Sequence, residues 1–96
     1  MQRPVLYQVL PTDDFKVYLY YDNGEIKLYD CDFIFTGSKI FDKIKDISEF
    51  KRLCTIMNKT LAFDISEIRD NSNCIDICPD TIYKDSISIN KDILSA

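Results

Sequence analysis

Histidine is absent from these 96 residues, glycine occurs only twice and proline three times. Without histidine the chain lacks the usual general base of nucleophilic catalysis and one of the ligand types on which structural zinc sites draw. Two glycines do not suffice for the glycine-rich loops that cradle phosphates. No run approaches the roughly 18 consecutive apolar residues of a membrane span, and Met1-Gln2-Arg3-Pro4 lacks the apolar stretch of a secretory leader. Excess positive charge is missing as well. Twelve basic against 16 acidic residues leave a net charge of −4, which opposes partners recognised through phosphates, nucleic acid and anionic membrane alike. A cytoplasmic protein that engages neither is expected.

What is present is apolar. Hydrophobic residues make up 46 % of the chain, with six Tyr and six Phe among them, well inside the globular range. A chain this long buries roughly 60 to 70 % of its unfolded surface, enough for one core and one domain spanning 1–96. The acidic residues stand singly between apolar ones, the pattern of a solvated face. Cys31, Cys54, Cys74 and Cys78 read as free thiols, because a core of this size needs no staples and cytosolic thiols stay reduced. Cys74 and Cys78 are four apart on an extended segment, and completing a set with Cys31 and Cys54 matches no standard zinc spacing. No metal and no cofactor are expected.

The order of elements follows from periodicity. Residues 4–10 read as a first strand ended by Pro11, with Val5, Tyr7 and Val9 on one side and Leu6 and Leu10 on the other. Thr12-Asp13-Asp14 supplies a turn. Two alternating runs over 15–31 flank Asn23-Gly24, a dipeptide suited to a two-residue type I′ turn. That turn centre pairs Tyr21 with Ile26 and Leu19 with Leu28 on the core side, and Tyr20 with Lys27 and Tyr18 with Tyr29 on the other. A slip by one residue would drive Lys16 and Lys27 inward, so burial of Val17, Leu19, Ile26 and Leu28 is expected to enforce this register. Ile40, Phe41, Ile44 and Ile47 then recur at helical spacing, giving a short turn near 38–44 and a firmer helix near 47–53, with Asp46 and Glu49 as a capping pair. A strand pair around Asn58-Lys59 follows, with Leu61, Phe63 and Ile65 on one face. A polar loop over 67–73 and a short strand at 74–78 come next. Pro79 and Asp80 suit the first turn of a helix over 79–86. The tail 87–96 either adds an edge strand or frays. The fold class is therefore α+β: a curved antiparallel β-sheet built from hairpins, one or two short helices on one face, and a short C-terminal helix.

The succession Asp22-Asn23-Gly24-Glu25, Phe50-Lys51-Arg52-Leu53, Thr60-Leu61-Ala62-Phe63-Asp64 and Asp76-Ile77-Cys78-Pro79-Asp80-Thr81-Ile82-Tyr83 resembles the small bacterial proteins grouped as domain of unknown function 2442. The likeness covers about residues 3–86, leaving 87–96 as a tail, and lies in the series of motifs rather than in any one of them. It implies a compact antiparallel sheet with helices packed on it, and no known reaction. Some relatives carry an added helix-turn-helix domain or stand beside toxin-like partners, which implies regulation or complex formation. No such domain is expected in this chain, so DNA binding is not carried over. Two departures stand out: Lys59 where the family usually has Gly before the Thr-Leu-Ala strand, and Phe63 where it favours Trp.

Three function classes compete. The leading one is a non-enzymatic protein-interaction or regulatory module, antitoxin-like or an adaptor, that offers Tyr18, Tyr20 and Tyr29 on a sheet face, or an edge strand, to an unknown protein partner or to itself. The alternative is a small ligand-binding or enzymatic domain that uses Asp64, Asp76 and Asp80 at one sheet edge, with Tyr83 beside them. Capping and turn formation account for the same aspartates, and packing against the sheet accounts for Tyr83. A nucleic-acid surface would use the three tyrosines with Lys16 and Lys27 as stacking platforms, against the acidity of the chain.

Overall fold

The structure, a computed structural model, describes residues 4–70 and 72–89. Among the described residues seven strands form two antiparallel sheets. The larger has the order β1-β2-β3-β7 from Leu6–Pro11, Lys16–Tyr21, Ile26–Asp30 and Ile87–Ser88. The smaller has the order β4-β5-β6 from Cys54–Met57, Thr60–Phe63 and Ile75–Asp76. Helices α1, Ile47–Leu53, and α2, Pro79–Asp85, join 3-10 turns at Asp32–Phe35 and Lys39–Ile44. The architecture is α+β. No described helix is long and apolar enough to cross a membrane.

The local chemistry explains most boundaries. Asp46 Oδ1 accepts from the Ser48 N–H at 2.8 Å and so starts α1, while Glu49, placed to complete the cap, turns instead to Arg52. Pro79 takes the first helical position of α2. Phe50 and Leu53 from α1, Leu61 and Phe63 from β5, Ile82 from α2 and Val17, Leu19 and Tyr21 from β2 meet in one hydrophobic cluster. The helices therefore cover the inner face of the larger sheet and join it to the smaller one. Ile87–Ser88 pairs with β3 as an edge strand, and the rest of the tail lies outside the described residues.

Two expectations about the larger sheet are corrected. In β1 a bulge between Leu6 and Gln8 breaks the simple alternation: Leu6 pairs with Tyr21 and Val9 with Leu19 on the inner side, while Leu10 pairs with Tyr18 on the outer side. Pro11 belongs to the strand rather than ending it. In the β2–β3 hairpin the ladder is one residue away from the two-residue turn. Tyr20 opposes Ile26, Leu19 opposes Lys27, Tyr18 opposes Leu28 and Val17 opposes Tyr29. Gly24 N donates to Tyr21 O at 3.1 Å and Tyr21 N to Glu25 O at 3.0 Å, so Asp22, Asn23 and Gly24 form a three-residue connection. Only Gly24, at φ +91°, enters the left-handed region, as in a type I turn closed by a glycine bulge. Asn23 spends its side chain on Glu25, accepting from its N–H at 3.0 Å and donating to Oε1 at 2.8 Å. Lys27 is thereby turned inward and is only 7 % exposed.

The β4–β5 connection is the two-residue turn that the sequence suggested. Met57 pairs with Thr60, leaving Asn58 at φ +54° and Lys59 at φ +64°. Asn tolerates this region and Lys does not, because its Cβ crowds the following carbonyl. Lys59→Gly relieves that strain and gives back part of the gain through the looser unfolded chain. The substitution is expected to raise stability by about 0.5–1 kcal/mol. The midpoint of urea unfolding checks it; a lower midpoint would mean that the lysine side chain holds the turn.

Candidate functional site

The register slip rearranges the tyrosines. Tyr18 and Tyr20 stay on the outer face of the larger sheet, joined there by their ladder partners Leu28 and Ile26. Leu10 and Ile87 extend the same face through β1 and β7, at 48 % and 68 % exposure. None of these six side chains belongs to the hydrophobic cluster, and Tyr18, Tyr20, Ile26 and Leu28 are half-buried between the flanking strands. Tyr29 departs from the expected group. It lies on the inner face opposite Val17, packs against Phe33 at 6.4 Å between ring centres, and burial pushes its hydroxyl up to about 12. The outer face is thus mainly aliphatic and aromatic, with exposed Gln8 beside Tyr20 on β1 and with Lys16 and Asp30 opposite each other at one end.

Tyr83 projects from α2 onto the inner side of the hairpin. Its ring meets Tyr21 edge-on at 5.2 Å and its hydroxyl donates to Glu25 Oε1 at 2.5 Å, which raises the phenol and, after Asn23, helps to lower the carboxylate. Lys27 Nζ donates to the Tyr83 carbonyl and stands 3.9 Å from the ring centre. These contacts fix α2 on β3, the packing role that the sequence allowed for Tyr83.

The three aspartates take up separate local tasks. Asp64, 8 % exposed, accepts from Ser66 Oγ at 2.6 Å and from the Arg69 N–H at 2.9 Å, and these bonds hold its carboxyl below the usual range. It organises the loop after β5, where Glu67 and Arg69 take φ +62° and +56°. Asp76 accepts from Asn58 Nδ2 at 3.1 Å and thereby ties β6 to the β4–β5 turn. Asp80 is exposed in the first turn of α2. Among the described residues no group of three or more carboxylate or thiol side chains is placed to hold a metal ion. The cysteines divide by position. Burial pushes Cys54 up to about 12 and raises Cys31 and Cys74, whereas exposed Cys78 is lowered by the N–H groups of Thr81 and Asp80.

A cleft of about 280 Å³ opens beside β4, lined by Arg52, Cys54, Asp64, Glu67 and Arg69 among others. Its charges are engaged with one another and with the backbone. Arg52 pairs with Glu49 and Glu67, and Lys43 Nζ reaches Glu67 at 2.6 Å. Arg69 donates to Thr55 Oγ1 at 3.2 Å and to Ile56 O at 3.0 Å, closing part of the exposed rim of edge strand β4. The long polar loop hid this role, since nothing in its composition marks Arg69 as an edge cap.

Glu67 carries the pH dependence of this cluster. Hydrogen bonds from Lys43 and Arg52 draw it from 4.5 down to about 2. A carboxylate lowered in the native state contributes stability above its unfolded value and loses that contribution as the pH falls through its native one. Glu67→Gln is therefore expected to flatten the acid limb of stability between pH 4.5 and about 2. Urea midpoints recorded across that window check it; parallel curves for the two proteins would show that the cluster is not coupled to folding.

No family model, curated protein or solved structure matches this chain.

Proposed function

We propose that this chain is a non-enzymatic protein-interaction module, a member of the domain of unknown function 2442 family, whose working surface is the outer face of the β1-β2-β3-β7 sheet. The observation that carries the proposal is the face itself: Tyr18, Tyr20, Ile26 and Leu28 occupy the middle of a four-stranded sheet on the side turned away from the hydrophobic cluster, half-buried and flanked by exposed Leu10 and Ile87. Apolar surface gathered in one contiguous patch is characteristic of binding surfaces. Tyrosine suits such a surface because it brings a large rigid ring and a hydroxyl that tolerates water. The regulatory or antitoxin-like role rests on the family resemblance alone. The aspartate reading draws less support, since Asp64 is bonded to the Arg69 N–H, Asp76 to the side-chain amide of Asn58, and Tyr83 is taken up by Glu25.

The test is recovery of partners from the native cell at endogenous level, comparing the wild-type chain with the Tyr18→Ala, Tyr20→Ala double variant. Loss of the recovered protein in the variant supports this face as the working surface. Equal recovery would move the function elsewhere on the molecule.

A further inference from the structure

We infer that the outer face is occupied by the same face of a second copy of this chain; this rests on the interaction-module reading and names its partner. The face is complementary to itself. β2 and β3 are the two middle strands, and the line between them divides the face into matching halves. A two-fold axis along that line, parallel to the strands, lays β2 over β3 of the second copy and β1 over its β7. Because the strand ends keep their sides, residues that oppose each other in one ladder become stacked partners between copies. Tyr18 then stands over Leu28 of the second copy, and Tyr20 over its Ile26, each repeated in reverse by the symmetry.

The charges obey the same rule. Lys16 and Asp30 oppose each other at the end of the ladder, so the rotation sets Lys16 of each copy over Asp30 of the other. Within one copy Lys16 Nζ lies 3.6 Å from Asp14, an exposed pair that can yield to the stacked one. The other in-plane two-fold, running across the strands, lays Lys16 over Tyr20 and leaves both charges against apolar surface. The strands of the face carry one positive and one negative side chain although the whole chain carries −4, and Asp14 at the rim beside Lys16 is a further carboxylate that must swing aside as Asp30 of the second copy approaches. Four strands at about 4.8 Å spacing and five residues at about 3.3 Å rise give a face on the order of 300 Å² in plan, about 600 Å² over both copies and below the size of stable specific interfaces. A weak, reversible dimer is expected.

Sedimentation equilibrium of the full chain, from about 1 µM to about 1 mM, brackets the affinity of an interface this size. The expected result is a monomer–dimer equilibrium that Leu28→Glu weakens by about 30-fold or more, as loss of a central contact does, with the far-UV spectrum unchanged. Lys16→Asp and Asp30→Lys are each expected to weaken it, and the double exchange to restore it. Because Lys16 and Asp30 also oppose each other within one copy, restoration supports the axis along the strands when the single exchanges leave the urea midpoint of the monomer unchanged. A monomer throughout the range overturns the inference, as does a dimer indifferent to Leu28→Glu and to the charge exchange. A monomer that loses a cellular partner on Leu28→Glu also overturns the second copy, and it leaves the interaction reading standing. The two failures are thus separable.

Discussion

Phe50→Ala is expected to remove about 3–5 kcal/mol of stability, the range for deleting a fully buried phenyl ring. Phe50 is completely buried and connects parts of the chain distant in sequence. Its ring meets Phe15 at 5.0 Å in an edge-on contact and Phe63 at 5.1 Å, so α1 holds the β1–β2 turn on one side and β5 on the other. Phe15 itself stands at φ +64°, a conformation unfavourable for an aromatic residue, and its ring also packs edge-on against Phe35 at 5.0 Å. Removing Phe50 therefore opens a cavity and withdraws one of the two aromatic contacts that keep Phe15 in a strained state. Against total stabilities of about 5–15 kcal/mol, the loss brings the domain close to unfolding at 37 °C. Each kcal/mol moves the melting temperature of a domain this size by roughly 4–8 °C, so a fall of about 12 °C or more is the calorimetric readout. Phe50→Leu keeps much of the volume and is expected to cost about half as much or less. A loss below about 1 kcal/mol for the alanine variant would mean that the two sheets cohere without this ring.

Elements whose signals are local were legible in the sequence. Pro79 at the start of α2, Asp46 as the α1 cap and the Asn58-Lys59 turn are each decided by a few adjacent residues, and each stands where periodicity put it. The 3-10 turn at Asp32–Phe35 carries too little periodicity to be read beforehand. The β2–β3 register failed for a different reason. Asn23-Gly24 fits both a two-residue turn and a three-residue turn with glycine last, and the hydrophobic pattern was expected to break the tie by keeping lysine outside. A lysine can satisfy an inner position, however, when its stem lies along apolar surface and its ammonium reaches a carbonyl and a ring. That carbonyl belongs to Tyr83, 56 residues away, so no window around the hairpin could reveal it. The same slip moved Tyr29 off the candidate surface and put Ile26 and Leu28 onto it. Half of the proposed site, Tyr18 and Tyr20, was therefore visible from the sequence, and the aliphatic half depended on a contact with α2.

Lys27 is the residue that makes the register measurable. Lys27→Glu is expected to destabilise the fold by about 3–5 kcal/mol, the cost of leaving an uncompensated charge in a buried place. The new carboxylate would face the Tyr83 carbonyl oxygen and the negative face of its ring where the ammonium now stands, with Glu25 on the same flank. All three surroundings repel it. Lys27→Met keeps the stem against Leu19 and gives up one hydrogen bond, and the Tyr83 carbonyl retains the Ser86 hydroxyl at 3.3 Å. The methionine variant is expected within about 1 kcal/mol of wild type, because an apolar replacement of similar shape leaves nothing buried and unpaired. In a hairpin turned at two residues Lys27 would stand in water, and both substitutions would fall within about 0.5 kcal/mol of wild type. Urea unfolding at unchanged slope separates the cases. A large gap between glutamate and methionine requires the inward lysine, and with it the outward Ile26 and Leu28 on which the docking surface is built; two flat results would return the hairpin to the other register and dissolve that surface.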